Sequence, residues 1–269
     1  MNLQEKSKEL RKDTFKAMYA SGGGHFGGCL SVIEILTAIL YGVMDFSPSS
    51  LSDPDRDRMI LSKGHAGPAL YVALADLGFF EKERLGELDK NGGRLPKHID
   101  RLKVPGVEFS TGPLGQGFSA AGGMALALKS RNSKASVYAI LGDGECDEGQ
   151  VWETAMAAAN FNLDNFIAVV DKNNCQVDGE TKDVMDLGDF PDKWRAFGWN
   201  VSECDGNDVD AVLEAISGLV ALKNGRPSVL IANTVKGKGV SFMEGNYRWH
   251  SGKLSEEQYM TGLKDLEGV

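Results

Sequence analysis

Two short motifs in this chain place oxygen ligands at a spacing that suits a hard cation. Gly142-Asp143-Gly144 is followed, after 28 intervening residues, by Asn173-Asn174. An ionised aspartate and a neutral amide oxygen can share one divalent ion. Mg²⁺ in particular takes few protein oxygens and completes its shell with phosphate oxygens and water. A turn and an Asn-rich loop are the structural alternative, and the pairing at this spacing favours a ligand site. A second run, Ser110-Thr111-Gly112-Pro113-Leu114-Gly115-Gln116-Gly117, reads as a tight loop entering a helix near Gln116. Its glycines would let the backbone lie close to a flat ligand, or would simply serve a turn. The chain has only four histidines, His25, His65, His98 and His250, each beside Gly, Pro or Lys rather than on an apolar face. Histidine titrates near neutrality and suits proton transfer.

The acidic residues Glu145, Asp147, Glu148 and Glu153 follow the GDG. A negative first turn complements a helix dipole, which is the simplest account of most of them. Gly22-Gly23-Gly24-His25-Phe26-Gly27 formally matches GxGxxG. A dinucleotide fingerprint follows a strand, whereas this one follows a predicted helix, so it is rejected.

Periodicity supplies the elements that must hold these groups. Residues 3–20 read as an amphipathic helix ended by the glycines of 21–28. Ser31, with Glu34 three residues on, reads as the capping box of a second helix to about Tyr41. A short strand is expected at 57–61, a loop at 64–67, and helices at 68–77 and 81–89. The apolar run 135–141 is a buried strand, 148–161 an alanine-rich helix and 166–170 a second strand. That order is a βαβ unit with a right-handed crossover. Strands at 198–204 and 228–235 flank a helix at 208–223. The alternation predicts an α/β fold, a doubly wound, mostly parallel sheet flanked by helices. Asp143 and Asn173 then fall at neighbouring strand ends, where open parallel sheets bind ligands, and the helix after the GDG offers amides to phosphate. With no repeat or linker evident, residues 1–269 are expected to form one domain, with an N-terminal helix and a C-terminal extension from about 240.

Bulk properties narrow the classes. Net charge is −9, from 38 acidic and 29 basic residues, with no basic patch of the kind nucleic acid requires. No apolar run is long enough to span a membrane, and the charged start has no signal-peptide character. The four cysteines form no CxxC pair, so neither a zinc site nor a disulfide framework is expected, and a reduced, cytoplasmic setting fits.

The GDG–NN pair resembles the thiamine diphosphate signature. TGPLGQG at 111–117 further resembles transketolases. All four histidine segments, GGGHFGG, SKGHAGPALY, RLPKHID and RWHSGK, are similar to those which transketolases place around cofactor and sugar. His25 is the loosest match, since the family usually has GHPG there. The resemblance implies the diphosphate-binding (PP) fold and Mg²⁺ on Asp143, Asn173 and the backbone carbonyl of Cys175, with Ca²⁺ or Mn²⁺ able to substitute. It assigns Gly142, Gly144, Glu145, His65, Gly112, Pro113, Leu114, Val177, Lys236 and His250 to the cofactor. His25, His98 and His250 would act on the donor sugar, with Glu148 and Glu153 running between two cofactors across a dimer interface.

The resemblance reaches from about residue 10 to 252, and a complete transketolase is more than twice as long. The expected partner is therefore a C-terminal transketolase subunit, carrying the pyrimidine-binding and C-terminal domains, in an α2β2 assembly acting on sugar phosphates. The glutamate that activates thiamine would lie on that partner, so the chain is expected to be inactive alone. Two competing readings are a ketol-transferase for a branched or sulfonated sugar, and a non-catalytic thiamine diphosphate-binding subunit.

Overall fold

The computed structural model describes residues 1–268. Its elements are α1 (Leu3–Ala20), α2 (Phe26–Ser31), α3 (Ile33–Thr37), β1 (Arg58–Leu61), α4 (Gly67–Asp76), α5 (Gln116–Ser130), β2 (Val137–Gly142), α6 (Gly149–Asn160), β3 (Phe166–Lys172), α7 (Thr181–Val184), α8 (Phe190–Ala196), β4 (Asn200–Asp205), α9 (Val209–Ala221), β5 (Ser228–Asn233) and α10 (Glu256–Glu267). The five strands form one all-parallel sheet in the order β1-β2-β3-β5-β4.

The central strands carry apolar side chains on both faces because both faces are covered. In β3, Ile167 and Val169 join the core under α1–α4 and α9. Phe166, Ala168 and Val170 join the opposite core under α5, α6 and α8. Tyr138 and Ile140 of β2 divide from Val137, Ala139 and Leu141 in the same way. The sheet is thus doubly wound, and β4 lies at the edge because the chain passes outward before returning as β5. Register aligns the C-terminal ends of the inner strands: Gly142 pairs with Asp171, and Asp171 with Ala232.

The second helix departs from expectation. It starts at Phe26, so Ser31 closes α2 instead of capping a later helix. The Ser31 hydroxyl donates to Asp171 Oδ2 at 2.6 Å, and Glu34 pairs with Arg11 at 2.6 Å. Burial decided this. Both Arg11 and Glu34 are 4% exposed, and a buried charge needs its partner more than an N-terminus needs a cap. The chain continues through α3 into a wide helical turn at Ala38–Val43. The segment 81–89 forms a 3-10 turn over Lys82–Glu87. Beyond residue 240 the chain returns to its own start. Gly24 and Gly252 exchange backbone hydrogen bonds, and the Tyr259 ring of α10 stacks on Tyr19 of α1 at 3.8 Å.

The Arg11–Glu34 pair fastens α1 to α3. Glu34→Ala leaves a buried guanidinium without its counter-charge and is expected to cost about 3–5 kcal/mol. Urea unfolding measures this, and a loss within about 0.5 kcal/mol of zero contradicts it.

Candidate functional site

The C-terminal ends of β1, β2, β3 and β5 converge on a cavity of about 170 Å³. From β1 come Lys63 and His65, from β2 the Gly142–Glu145 turn, from β3 Asn173 and the loop 175–178, and from the segment after β5 Lys236. Gly28, Leu114 and His250 complete the lining.

His65 and His250 line this cavity, and His25 and His98 cluster with them. The His25 ring centroid lies 5.3 Å from His65, 5.6 Å from His98 and 5.4 Å from His250, and His65 lies 5.2 Å from His250. Burial, and then the neighbouring His98, Lys97 and Lys236, lower the His25 pKa to about 4. Burial and then Lys236 lower that of His250 to about 4, and burial lowers that of His65 well below its usual value. Near neutral pH these three imidazoles are uncharged, each with one donor and one acceptor nitrogen. His25 Nδ1 is buried and has no hydrogen-bonding partner among the described residues.

Asp143 Oδ2 accepts from the amide of Asn174 at 2.8 Å and from Thr181 Oγ1 at 3.1 Å. Burial and then Asp171 raise its pKa to about 6. Asn173 Oδ1 accepts from Cys175 N at 3.1 Å. The Cys175 carbonyl accepts from Lys236 Nζ at 3.1 Å, which leaves it one lone pair. Carboxylate, amide and carbonyl make an all-oxygen set that fits Mg²⁺. Lys236 is buried, touches His250 Nδ1 at 3.3 Å, and has its pKa lowered to about 8, chiefly by burial. Glycine makes room around it, since a Cβ on Gly27 would lie 2.7 Å from Lys236 Cγ.

The other expected site residues divide between the cavity lining and its surroundings. Glu145 lines the cavity, but its carboxylate is occupied by Ser62 Oγ and by the amides of Gly115 (2.9 Å) and Gly142 (3.1 Å). It ties the GDG turn to the start of α5. Val177 lines the rim and is exposed. Of the glycine-rich loop only Leu114 reaches the lining. Gly112 lies beside His98, with a Cβ position 3.6 Å from the ring, and Pro113 is on the surface. Other glycines there serve packing: a Cβ on Gly117 would lie 2.8 Å from Ser62 Cα. Glu148 and Glu153 are exposed at the start of α6, outside the cavity lining. The helix after the GDG begins only at Gly149, behind a 3-10 turn at Gly144–Asp147.

Sequence reasoning missed Lys63, which lines the cavity, and its buried ion-pair partner Asp171, whose carboxylate also accepts from Ser31 and Thr234. A charge ending each apolar strand run, RMILSK and FIAVVD, was the available signal.

An all-parallel sheet that gathers oxygen ligands, lysines and histidines at its strand ends defines a doubly wound domain for a phosphorylated cofactor. A family model described as "Transketolase, thiamine diphosphate binding domain" matches residues 4–266, and the chain belongs to the transketolase family as that domain. It is 45% identical over 267 residues to the 6-deoxy-6-sulfo-D-fructose transketolase subunit SqwG of Clostridium sp. (strain MSTE9), covering 99% of this chain and 97% of that protein. It is 39% identical to an apulose-4-phosphate transketolase subunit of Phocaeicola vulgatus, covering 98% of this chain and 93% of that one. The solved transketolase of Campylobacter jejuni subsp. jejuni NCTC 11168 superposes with a TM-score of 0.90 at 29% identity, over 99% of this chain and 43% of that one. The chain therefore spans less than half of a full-length relative and nearly all of a subunit-length one. No helix among the described residues is long and apolar enough to cross a membrane.

The unfolded chain binds protons on His250 near pH 6.5, whereas the folded chain does so only near pH 4. Between these values the unfolded state holds more protons at this residue, so its contribution to stability is present above pH 6.5 and is lost on acidification. The stability gap between wild type and His250→Gln should move in the variant's favour as pH falls from 6.5 to about 4. Denaturant titrations of the cofactor-free chain at several pH values measure it, and a constant gap contradicts it.

Proposed function

We propose that this chain is the diphosphate-binding subunit of a two-chain transketolase. It would transfer a two-carbon ketol unit from a ketose phosphate to an aldose phosphate. The convergence of four histidines, two of which line the cavity with Asp143, Asn173 and Lys236, carries this reading. A domain that only bound the cofactor would have no use for such a cluster, which argues against a non-catalytic role.

Asp143, Asn173 and the Cys175 carbonyl would hold Mg²⁺, with Ca²⁺ or Mn²⁺ able to stand in. Lys236, His65 and the Gly144 amide would take the diphosphate, whose negative charge suits a cavity holding two buried lysines. Bound thiamine diphosphate supplies the carbanion and electron sink for breaking a carbon–carbon bond beside a carbonyl. The chain's own work is to orient the sugar and move protons. His25, with a bare buried nitrogen, and His250, backed by the Lys236 ammonium, would exchange protons with the donor hydroxyl and carbonyl. His98 would hold the terminal hydroxyl. Gly112, Pro113 and Leu114 would line the ring side, Pro113 from a surface that a partner chain covers. Glu148 and Glu153 would face a second cofactor across the assembly.

The subunit names of similar-length relatives, and the far greater length of solved transketolases, support a C-terminal partner carrying the pyrimidine-binding and C-terminal domains in an α2β2 complex. The same relatives favour a second reading for the substrate, a sulfonated or otherwise unusual ketose. A cytoplasmic location is part of the proposal.

Mixing the chain with its C-terminal partner, thiamine diphosphate and Mg²⁺ should give ketol transfer that neither chain shows alone. A panel of ketose phosphates and sulfonated ketoses assigns the donor. Turnover by this chain alone sinks the two-chain reading. In the complex, His250→Ala should lower kcat about 10²- to 10⁴-fold, and near-normal donor cleavage would remove His250 from the proton path.

A further inference from the structure

The cofactor cradle proposed above is built from two pieces of chain that no strand pairing joins beyond Gly142–Asp171. One is the Asp143–Asp147 turn after β2, and the other the Asn173–Thr181 loop after β3. Two contacts tie them through Asp143, whose carboxylate accepts from Asn174 N and Thr181 Oγ1. That carboxylate is itself an expected metal ligand, so these ties compete with its task. A third contact does not. Gln176 Nε2 donates to Asp147 Oδ2 at 2.6 Å.

Gln176 is well placed to transmit such a restraint. Its amide donates to Gly179 O at 2.8 Å, and its carbonyl accepts from Lys236 Nζ at 3.4 Å. Its side chain lies over Gly144, where a Cβ would stand 2.9 Å from Gln176 Cγ. Asp147 is fixed from behind, because the Trp152 indole donates to the carbonyl of Cys146 at 2.7 Å. The other Asp147 oxygen, Oδ1, is buried without a partner, so Gln176 is its carboxylate's hydrogen-bonding partner among the described residues. An ionised carboxylate only accepts, so it also settles which end of the Gln176 amide faces it.

We propose that Asp147 is a positioning residue: through Gln176 it latches the Asn173–Thr181 loop onto the Asp143–Gly144 turn, in the shape that receives the metal–diphosphate unit. Asp147 touches neither reacting group, and its effect runs through the loop alone. The proposal rests on the cavity being the diphosphate site.

The test compares the full chain as wild type, Asp147→Ala and Asp147→Asn. Amide hydrogen exchange follows residues 174–181 without cofactor, and thiamine diphosphate is titrated calorimetrically into the complex with the C-terminal partner in excess Mg²⁺. Losing one hydrogen bond to a charged group should speed exchange in this loop about tenfold and raise the cofactor Kd about tenfold, leaving exchange in β2 and β3 unchanged. Asp147→Asn keeps an acceptor for Gln176 and should restore both. Unchanged loop exchange and Kd in Asp147→Ala overturn the latch, as does equal damage by Asp147→Asn. Faster loop exchange in Asp147→Ala, rescued in Asp147→Asn, with no cofactor bound even by the wild-type two-chain complex, supports the latch and instead removes the diphosphate reading of the cavity.

Discussion

The buried ion pair between Lys63 and Asp171 is the constraint on which the site depends. Both side chains are essentially inaccessible to water. Removing two charges from water is costly, and such a pair persists only when its remaining hydrogen-bonding capacity is met. Here Ser31 of α2 and Thr234 after β5 donate to the same carboxylate. One anion therefore gathers four separate segments. The functional groups follow at short, fixed offsets from them: His65 lies two residues after Lys63, Asn173 two after Asp171, and Lys236 two after Thr234. Strand ends are only loosely defined by the sheet itself, and this knot gives them a common reference point.

The sheet was legible in the sequence because its central strands are unbroken apolar runs bounded by glycine and charge. The GDG–NN pairing was legible for the same reason, since each motif ends one of those runs. What could not be read was which polar residues face each other across the fold. Ser31 and Glu34 have the spacing of a capping box, yet both are spent on buried charges contributed by distant segments. Glu145 carries a charge beside the expected cofactor, yet its carboxylate is consumed by Ser62, Gly115 and Gly142. Local propensity registers neighbours in the chain, whereas these partners, Gly142 apart, are neighbours only after the sheet has formed. Lys63 and Asp171 escaped notice on the same ground.

Electrostatically the molecule is two-sided. Its net charge is −9, yet the cavity presents buried lysines together with the imidazole of His250, and both that ring and the adjacent His25 are kept neutral by their surroundings. Neutral imidazoles avoid adding to the repulsion between Lys63 and Lys236, which would otherwise burden the cavity. They also keep both donor and acceptor character available. An arriving dianion would offset the lysines, and through them the field that holds the histidines uncharged. Occupancy and proton affinity are coupled by this geometry alone.

The pairing of Gly24 with Gly252 has a consequence for how the cavity comes into being. It joins segments from near opposite ends of the chain, and His25 and His250 sit on its two arms. Contacts of such long sequence separation close late, after local structure has formed, because their loop-closure entropy is repaid only then. The strand ends that carry Asp143 and Asn173 need only β2 and β3, whose pairing spans a much shorter stretch of chain. The order of assembly thus runs from the sheet outward: the strand ends that carry Asp143 and Asn173 form before the contact that brings His25 and His250 together.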